Sequence, residues 1–291
     1  MDYVAAWHRV RCCFESPILD ERKWAKIPTI PADAFMLDLE DAVPIDRKEE
    51  ARTKVLEYLA QPEYFGGAMS IPRVNHLSTK WGRDDIIALA EAGIDQLMYP
   101  KTESAEDLEE VLELCRKHGS DPKIKASIES ARGVIEIERI VAMDAVVVVG
   151  CGIGDLHVDT GQPLYEEDGS LSPIHYYPKL KTVMTAVAFG KAKIGFPQLP
   201  NLKDFDEYRK RAIIEKRLGF TGCSAFYPPH VEILNEVFSP SEGEVAHAHE
   251  IISLYEEAVA QGKPAALLPT GEALLVHQYK EAQNILARVD A

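Results

Sequence analysis

The sequence has no apolar stretch long enough to cross a membrane, and its first residues lack the apolar core of a signal peptide. It is also poor in positive charge, with 32 basic residues against 47 acidic ones and a net charge of −15. Such a surface offers no general attraction for nucleic acid or anionic membranes. We therefore expect a cytoplasmic protein without nucleic-acid or membrane partners, in which arginines or a metal ion hold any anionic ligand.

Cysteine is scarce and forms no CxxC pair, which argues against a cysteine zinc site. The number of cysteines is odd, and most of them lie in apolar, strand-like runs: Cys12, Cys13, Cys115, Cys151 and Cys223. This pattern favours free thiols that pack as small apolar groups in a reducing compartment.

Three catalytic signatures are missing as well. No GxGxxG follows the first predicted strand, and the chain contains neither GxSxG nor HExxH. These absences argue against a dinucleotide-binding fold, a serine hydrolase of the nucleophile-elbow type and a zinc protease.

The sequence does contain a repeated alternation of strand-like and helix-like segments. Eight short apolar runs predict strands at residues 9–14, 34–39, 68–74, 96–100, 123–129, 145–150, 192–196 and 222–228. Amphipathic segments between and after them predict helices, among them 46–60, 104–119, 130–143, 175–190, 202–219 and 243–262. This alternation favours an α/β fold, a (β/α)8 TIM barrel over residues 1–262, rather than an open doubly wound sheet. Residues 263–291 then form a C-terminal loop and helix, a lid or a subunit-exchange arm.

Polar residues follow several of these strands, where the active site of such a barrel lies. They are Asp38, Glu40 and Asp41 after the second strand, Arg73 and Asn75 after the third, Lys101, Glu129, and Asp155 at the end of "GCGIGD". Their side chains would meet at one mouth of the barrel, so the acidic run "DLED" is expected to form part of a site wall.

Glu129 and Asp155 are the best candidates for a metal site, because Mg²⁺ takes oxygen ligands and commonly one or two carboxylates. A salt bridge or a helix cap would explain either acid equally well. The glycines of "GCGIGD" could expose backbone N–H groups to an anion around Gly154, or they could simply form a tight loop.

Arg73 stands in an otherwise apolar strand and needs an anionic partner. That partner could be a substrate carboxylate, or it could be Asp38 or Glu40 in a structural ion pair. Both can hold together, since an arginine oriented by a protein acid can still bind substrate.

Six ordered stretches within residues 9 to about 262 resemble the citrate lyase β-subunit-like and malyl-CoA lyase-like branch of the HpcH/HpaI aldolase superfamily. Among them are "LDLEDAVPIDRKEEAR", "PRVNHLSTKWGRDDI", "IESARGV" and "GIGDLHVDTG". The resemblance implies a (β/α)8 barrel that forms a homotrimer or hexamer, binds Mg²⁺ and cleaves or forms a carbon–carbon bond between a 2-oxo acid and a thioester.

The resemblance also implies roles for individual residues. Glu129 and Asp155 would hold the metal, and Arg73 would bind substrate, with Asp155, Asn75 and the amides around Gly154 also contacting it. Asp38, Glu40 and Asp41 would support catalysis beside Arg73. Lys101 would be a wall residue, because the family uses no Schiff base.

Three departures from the family pattern bear on the substrate. The segment after the first strand is "CFESPILDE", where the family has "FVPGN". This difference leaves open whether the substrate is a CoA thioester. Leu275, in "PTGEALLV", falls where a lid aspartate is usual, and Tyr227 replaces a histidine after the eighth strand.

The sequence therefore predicts a Mg²⁺-dependent lyase acting on a 3-hydroxy dicarboxyl-type CoA thioester. The alternatives are an aldolase acting on a free 2-oxo or hydroxy acid without CoA, and a non-catalytic subunit of a lyase complex.

Overall fold

The computed structural model describes residues 1–262, 266–267 and 273–289 of the chain. Contacts within the chain divide it into two compact units, Met1–Asn235 and Glu236–Ala291. The boundary after residue 262 that we drew from the sequence stays a prediction. Residues 263–265, 268–272 and 290–291 of the predicted extension, including the start of "PTGEALLV", lie outside the described residues.

The first unit contains the predicted barrel. Eight parallel strands close on themselves in sequence order, with β1 paired to both β2 and β8. They are β1 (Cys12–Ser16), β2 (Ala34–Asp38), β3 (Met69–Arg73), β4 (Gln96–Tyr99), β5 (Lys123–Ile128), β6 (Val146–Cys151), β7 (Ala192–Gly195) and β8 (Gly222–Ala225). The (β/α)8 prediction is thereby confirmed.

Helices connect the strands and continue beyond them. They are α1 (Tyr3–Arg9), α2 (Glu21–Trp24), α3 (Lys48–Leu59), α4 (Gly82–Glu91), α5 (Ala105–Lys117), α6 (Ala131–Val141), α7 (Ile153–Thr160), α8 (Tyr176–Ala188), α9 (Phe205–Leu218), α10 (Pro229–Phe238), α11 (Glu242–Ala260) and α12 (Val276–Leu286). The sequence did not predict α1, α2, α7 or α10, each of which has ten residues or fewer. In the part of the chain that the structure describes, no helix is long and apolar enough to span a bilayer.

Capping residues fix where the barrel helices begin. The Ser104 hydroxyl accepts the N–H of Asp107, and the Asp107 carboxylate accepts the N–H of Ser104, which forms a capping box at the start of α5. The hydroxyl of Ser130 accepts the N–H of Gly133 at the start of α6. Each cap lies within a few residues of a strand end, so it also sets the path of the loop that carries site residues.

The lower end of the barrel is an apolar floor. Inward-facing side chains from the first halves of the strands form one buried cluster that includes Cys13, Met36, Ile71 and Val148. Trp7 of α1 packs into the same cluster, and its indole N–H donates to the Gln96 side chain at 2.7 Å. Helix α1 therefore closes this end, and ligands must enter from the carboxyl ends of the strands. All five cysteines are free and buried, as predicted.

The second unit is small. A two-residue strand, Ala266–Leu267, pairs antiparallel with Ala273–Leu274. Leu274 is buried together with Ala248 and Ile251 of α11 and Ala282 of α12. Leu275, where the resemblance places a lid acid, precedes α12 and is exposed.

Candidate active site

A cavity of about 170 Å³ lies at the carboxyl ends of the strands, where the sequence predicts the site. Its polar lining comes from six strands or the loops after them: Glu15, Arg73, Lys125, Ser127, Glu129, Asp155, Gln198 and Ser224. Three of these residues, Arg73, Glu129 and Asp155, are site residues predicted from the sequence, and Gly154 also lines the cavity.

Arg73 is held in place by Asp38 on the neighbouring strand. The Arg73 Nε and Nη2 atoms donate to the two Asp38 oxygens at 2.6 and 2.7 Å. The backbone N–H groups of Glu40 and Ala42 donate to the same carboxylate, each at 2.8 Å. Burial alone would raise the pKa of Asp38, but Arg73 and these amides outweigh it and hold the pKa below its usual value. Asp38 is thus an ionised acid whose two oxygens each accept hydrogen bonds, and it orients the guanidinium of Arg73.

Glu40 lies between two cations. Its Oε1 accepts from Lys101 Nζ at 2.6 Å, and its Oε2 lies 3.6 Å from Arg73 Nε. Oε2 is buried without a hydrogen-bond partner among the described residues. Burial raises the pKa of Glu40 to about 7, although the charge of Arg73 opposes the rise. A buried carboxyl group of this kind can hold or release a proton near neutral pH.

Lys101 interacts with three acids at the end of the barrel, in addition to its predicted position in the site wall. Its Nζ lies within 4.0 Å of Asp41 and Asp155 as well as bonding Glu40, so it joins the loops after β2 and β6. Its backbone has a φ of 46°, a left-handed conformation that costs a non-glycine residue energy. The chain tolerates this strain while placing one ammonium group among three acids.

Glu129 differs from the other acids because its charge is not balanced. Its side chain is 7% exposed, and it accepts a hydrogen bond from the Ser127 hydroxyl. No lysine or arginine lies within ion-pair distance of it in the described ranges. Burial raises the pKa of Glu129, while the Ser127 hydrogen bond and the charge of Arg73 oppose the rise.

Asp155 faces the same cavity from the first turn of α7. Strands β5 and β6 are neighbours, and the N–H of Gly152 donates to the Ile128 carbonyl at 2.9 Å. A Cβ on Gly152 would lie 2.7 Å from Glu129 Cγ, so only glycine lets Glu129 pack there. Helix α7 begins without a side-chain cap, which leaves the amides around Gly154 unsatisfied by its own backbone.

Four predicted site residues do not line the cavity. Asp38 and Glu40 lie against Arg73, which does, whereas Asn75 and Asp41 lie farther from it. Asn75 is buried, and its side-chain oxygen accepts from Lys48 while its amide nitrogen donates to the Leu39 carbonyl and to Asp85. These bonds use its polar atoms to fix the loop after β3, so we leave Asn75 out of the substrate contacts proposed below. Asp41 lies at the rim with a 62% exposed side chain.

The structure also adds residues that the sequence did not indicate as site residues. Lys125 and Ser127 alternate along β5 in phase with the predicted Glu129 at its end, so all three face the barrel interior. The alternation of "KIKASIE" could have revealed this. Glu15 was missed because the first strand was predicted to end at Phe14, and Gln198 lies in a loop without a sequence signal.

The donors present suit a hard divalent cation. The described residues contain no group of three or more histidine, cysteine or carboxylate side chains arranged to hold a metal. A magnesium site needs fewer, because waters and substrate complete the octahedron around one or two carboxylates. Glu129, buried and uncompensated, and Asp155, half-exposed in the same cavity, fit that requirement.

A second, larger cleft of about 840 Å³ lies beside the loops after β1 and β2. It is lined by α2, by the face of α3 and by the segment that departs from the expected "FVPGN". Four basic side chains line it: Arg22, Lys23, Arg47 and Lys54. The last three form ion pairs with Asp20, Glu50 and Glu57, respectively.

Comparison with known proteins gives consistent matches. The model of the HpcH/HpaI aldolase/citrate lyase family matches residues 17–228. A (3S)-malyl-CoA thioesterase from Cereibacter sphaeroides is 31% identical over 284 residues, 98% of this chain and 96% of that protein. The citrate lyase subunit beta of Leuconostoc mesenteroides subsp. cremoris is 32% identical over 239 residues, 79% of this chain and 77% of that protein.

Among solved structures, CitE from Mycobacterium tuberculosis in complex with magnesium and acetoacetate superposes with a TM-score of 0.69. The sequence identity is 25%, and the match covers 79% of this chain and 90% of that one.

Proposed function

The chain belongs to the HpcH/HpaI aldolase/citrate lyase family and is an enzyme of the carbon–carbon lyase type, and from this premise we propose its reaction. The proposed reaction is Mg²⁺-dependent cleavage of a malyl-, citramalyl- or citryl-CoA-like 3-hydroxy thioester into a 2-oxo acid and an acyl thioester. One observation carries the proposal: Glu129 is a buried acid without a cation partner among the described residues, in the same cavity as Asp155 and Arg73.

Glu129 and Asp155 are the proposed ligands of Mg²⁺. The solved CitE complex with magnesium and acetoacetate supports the choice of metal and of a small oxo acid. A bound Mg²⁺ lowers the pKa of a coordinated hydroxyl and polarises a coordinated carbonyl. The remaining chemistry falls to the side chains around it.

Arg73 is the proposed partner for charge that develops on the substrate oxygen. Asp38 holds two of its nitrogens, so the guanidinium is oriented before substrate arrives and pays no rearrangement cost during the reaction. The uncapped amides at the start of α7 are suited to bind the substrate carboxylate beside the metal ligands.

Glu40 is the proposed proton acceptor for the substrate hydroxyl. Its Oε2 is the atom that lacks a hydrogen bond within the described chain, and its pKa of about 7 suits a general base. Glu40 is not a lining residue of the cavity, but it touches Arg73, which is.

The larger cleft is the proposed binding site for the CoA moiety of the substrate. Its lining carries four basic and three acidic side chains, a more positive balance than that of the strongly acidic protein as a whole, which favours binding of the CoA phosphates there. If the substrate is not a CoA thioester, the enzyme acts on a free hydroxy acid, the alternative left open by the sequence. We further propose that the enzyme is a homotrimer or hexamer.

Thioester hydrolysis is a second candidate function. The (3S)-malyl-CoA thioesterase relative covers nearly the whole chain, and Leu275 replaces the expected lid acid. Hydrolysis would yield a free hydroxy acid and CoA, whereas lyase activity would yield a 2-oxo acid and an acyl-CoA.

The test is incubation of malyl-, citramalyl- and citryl-CoA with Mg²⁺, followed by separate assays for 2-oxo acid and free thiol. Release of 2-oxo acid without free thiol, lost in Glu129→Gln, supports the lyase. Free thiol without 2-oxo acid supports the thioesterase. If no thioester reacts but Mg²⁺ and a 2-oxo acid raise the melting temperature while CoA does not, the enzyme acts on a free acid.

A further inference from the structure

Lys125 is a buried lysine that the proposed reaction does not yet use. It lies on β5, its side chain faces the cavity, and the residue is 3% exposed. Its Nζ lies 3.5 Å from the thioether sulfur of Met98, a weak acceptor. Within residues 1–262 no carboxylate lies within ion-pair distance of this ammonium group.

The other cations at the cavity are already paired. Arg73 is bonded to Asp38, and Lys101 is bonded to Glu40. In contrast, burial lowers the pKa of Lys125, although Cys13, Glu15 and Glu129 oppose the decrease from farther away. The charged form of Lys125 would therefore be stabilised by a bound anion. Burial of an ammonium group without a partner is costly unless a ligand completes it.

The position of Lys125 along β5 differs from that of the metal ligand. Lys125 and Glu129 are four residues apart on the same side of the strand, which separates their Cα atoms by roughly 13 Å. Both residues line the same small cavity, and the Nζ of Lys125 lies 3.9 Å from where a Cβ on Gly150 would be.

We infer that Lys125 is a further substrate-binding residue that takes a second carboxylate group of the substrate at the inner end of the cavity. The inference rests on the proposed function, because the first carboxylate is the one held beside Glu129 and Asp155. It narrows the substrate class: among the thioesters proposed above, a citryl-type substrate carries two free carboxylates and releases a 2-oxo dicarboxylate, whereas malyl- and citramalyl-CoA have one free carboxylate and leave Lys125 unpaired.

Two matched acids test this assignment. L-malate and L-lactate are both 2-hydroxy acids, and malate carries the second carboxylate. With Mg²⁺ present, calorimetry should show that the wild-type protein binds malate at least ~10-fold more tightly than lactate, because a charged hydrogen bond is worth that much. Lys125→Met should remove this preference and leave lactate binding unchanged. Lys123→Met, on the same strand but at its start, should keep the preference.

A metal-free measurement separates the inference from the proposed function. If Lys125 lacks a structural partner, Lys125→Met without ligand should melt at the wild-type temperature or above it. A lower melting temperature would show that the lysine serves a structural pair with Glu15 and would overturn the inference. Retention of the malate preference in Lys125→Met would overturn it as well. If the wild-type protein binds neither acid with Mg²⁺, the proposed function fails, and the metal-free melting comparison alone decides the role of Lys125.

Discussion

The protonation of Glu40 should control the stability of the metal-free protein near neutral pH. The side chain is 8% exposed, and burial raises its pKa from 4.5 to about 7. The folded protein therefore binds a proton more tightly here than the unfolded chain does. Its contribution to stability is full below about pH 4.5 and is lost as the pH rises through about 7.

The size of the effect follows from the two pKa values. A pKa raised from 4.5 to about 7 corresponds to about 3 kcal/mol, most of it lost between about pH 5 and pH 8. Glu40→Gln keeps the shape of the side chain but cannot ionise. The variant should therefore gain about 2–3 kcal/mol relative to the wild-type protein when the pH is raised from about 5 to about 8.

Urea denaturation of both metal-free proteins at these two pH values measures the difference directly. Glu138→Gln, a change on α6 at a side chain that is 70% exposed, is the matched control and should follow the wild-type pH dependence. Equal losses of stability in the wild-type protein and in Glu40→Gln would refute the reasoning. In the active enzyme the same group should produce a fall in kcat/KM below about pH 7 that Glu40→Gln no longer shows.

Two further predictions concern the support of the site. Asp38→Asn should lower the free energy of unfolding by about 3 kcal/mol in urea denaturation, because it leaves Arg73 buried without its acid. Glu50→Gln, which breaks an exposed pair with Arg47, should change the free energy of unfolding by less than about 1 kcal/mol. Equal effects of the two substitutions would contradict the argument from burial. Gly152→Ala should weaken Mg²⁺ binding about 10-fold or more in calorimetry, because the new Cβ displaces Glu129. Gly243→Ala, whose new Cβ would have no neighbouring atom within 4 Å, should leave Mg²⁺ affinity unchanged. Normal Mg²⁺ affinity in Gly152→Ala would show that Glu129 can move without loss of binding.

The barrel was predictable because its signals are local. Buried parallel strands appear in the sequence as short apolar runs. The polar residue that follows each strand lies at the carboxyl-terminal end of the barrel, and this does not depend on how the helices pack. This rule places Asp38, Arg73, Glu129 and Asp155 in one region on the basis of the sequence. The rule does not show which of these side chains line the cavity: Asn75 does not, because its side chain bonds to Lys48 and Asp85, whose positions depend on how α3 and α4 pack.

The residues missed by the sequence analysis depend on finer detail. Glu15 lies one position beyond the predicted end of β1, and strand ends are the least certain part of such a prediction. The role of Lys125 required knowledge of which face of β5 points inward and of which cations already have acids. The left-handed backbone of Lys101 had no signal, since lysine rarely adopts that conformation.

The central claim is that Glu129 and Asp155 hold a divalent cation, and titration calorimetry with Mg²⁺ tests it most directly. The wild-type protein should bind one ion per chain, and Glu129→Gln and Asp155→Asn should each weaken binding at least ~10-fold, while Glu136→Gln binds as the wild-type protein does. Unchanged Mg²⁺ affinity in both Glu129→Gln and Asp155→Asn would contradict the assignment of the metal site.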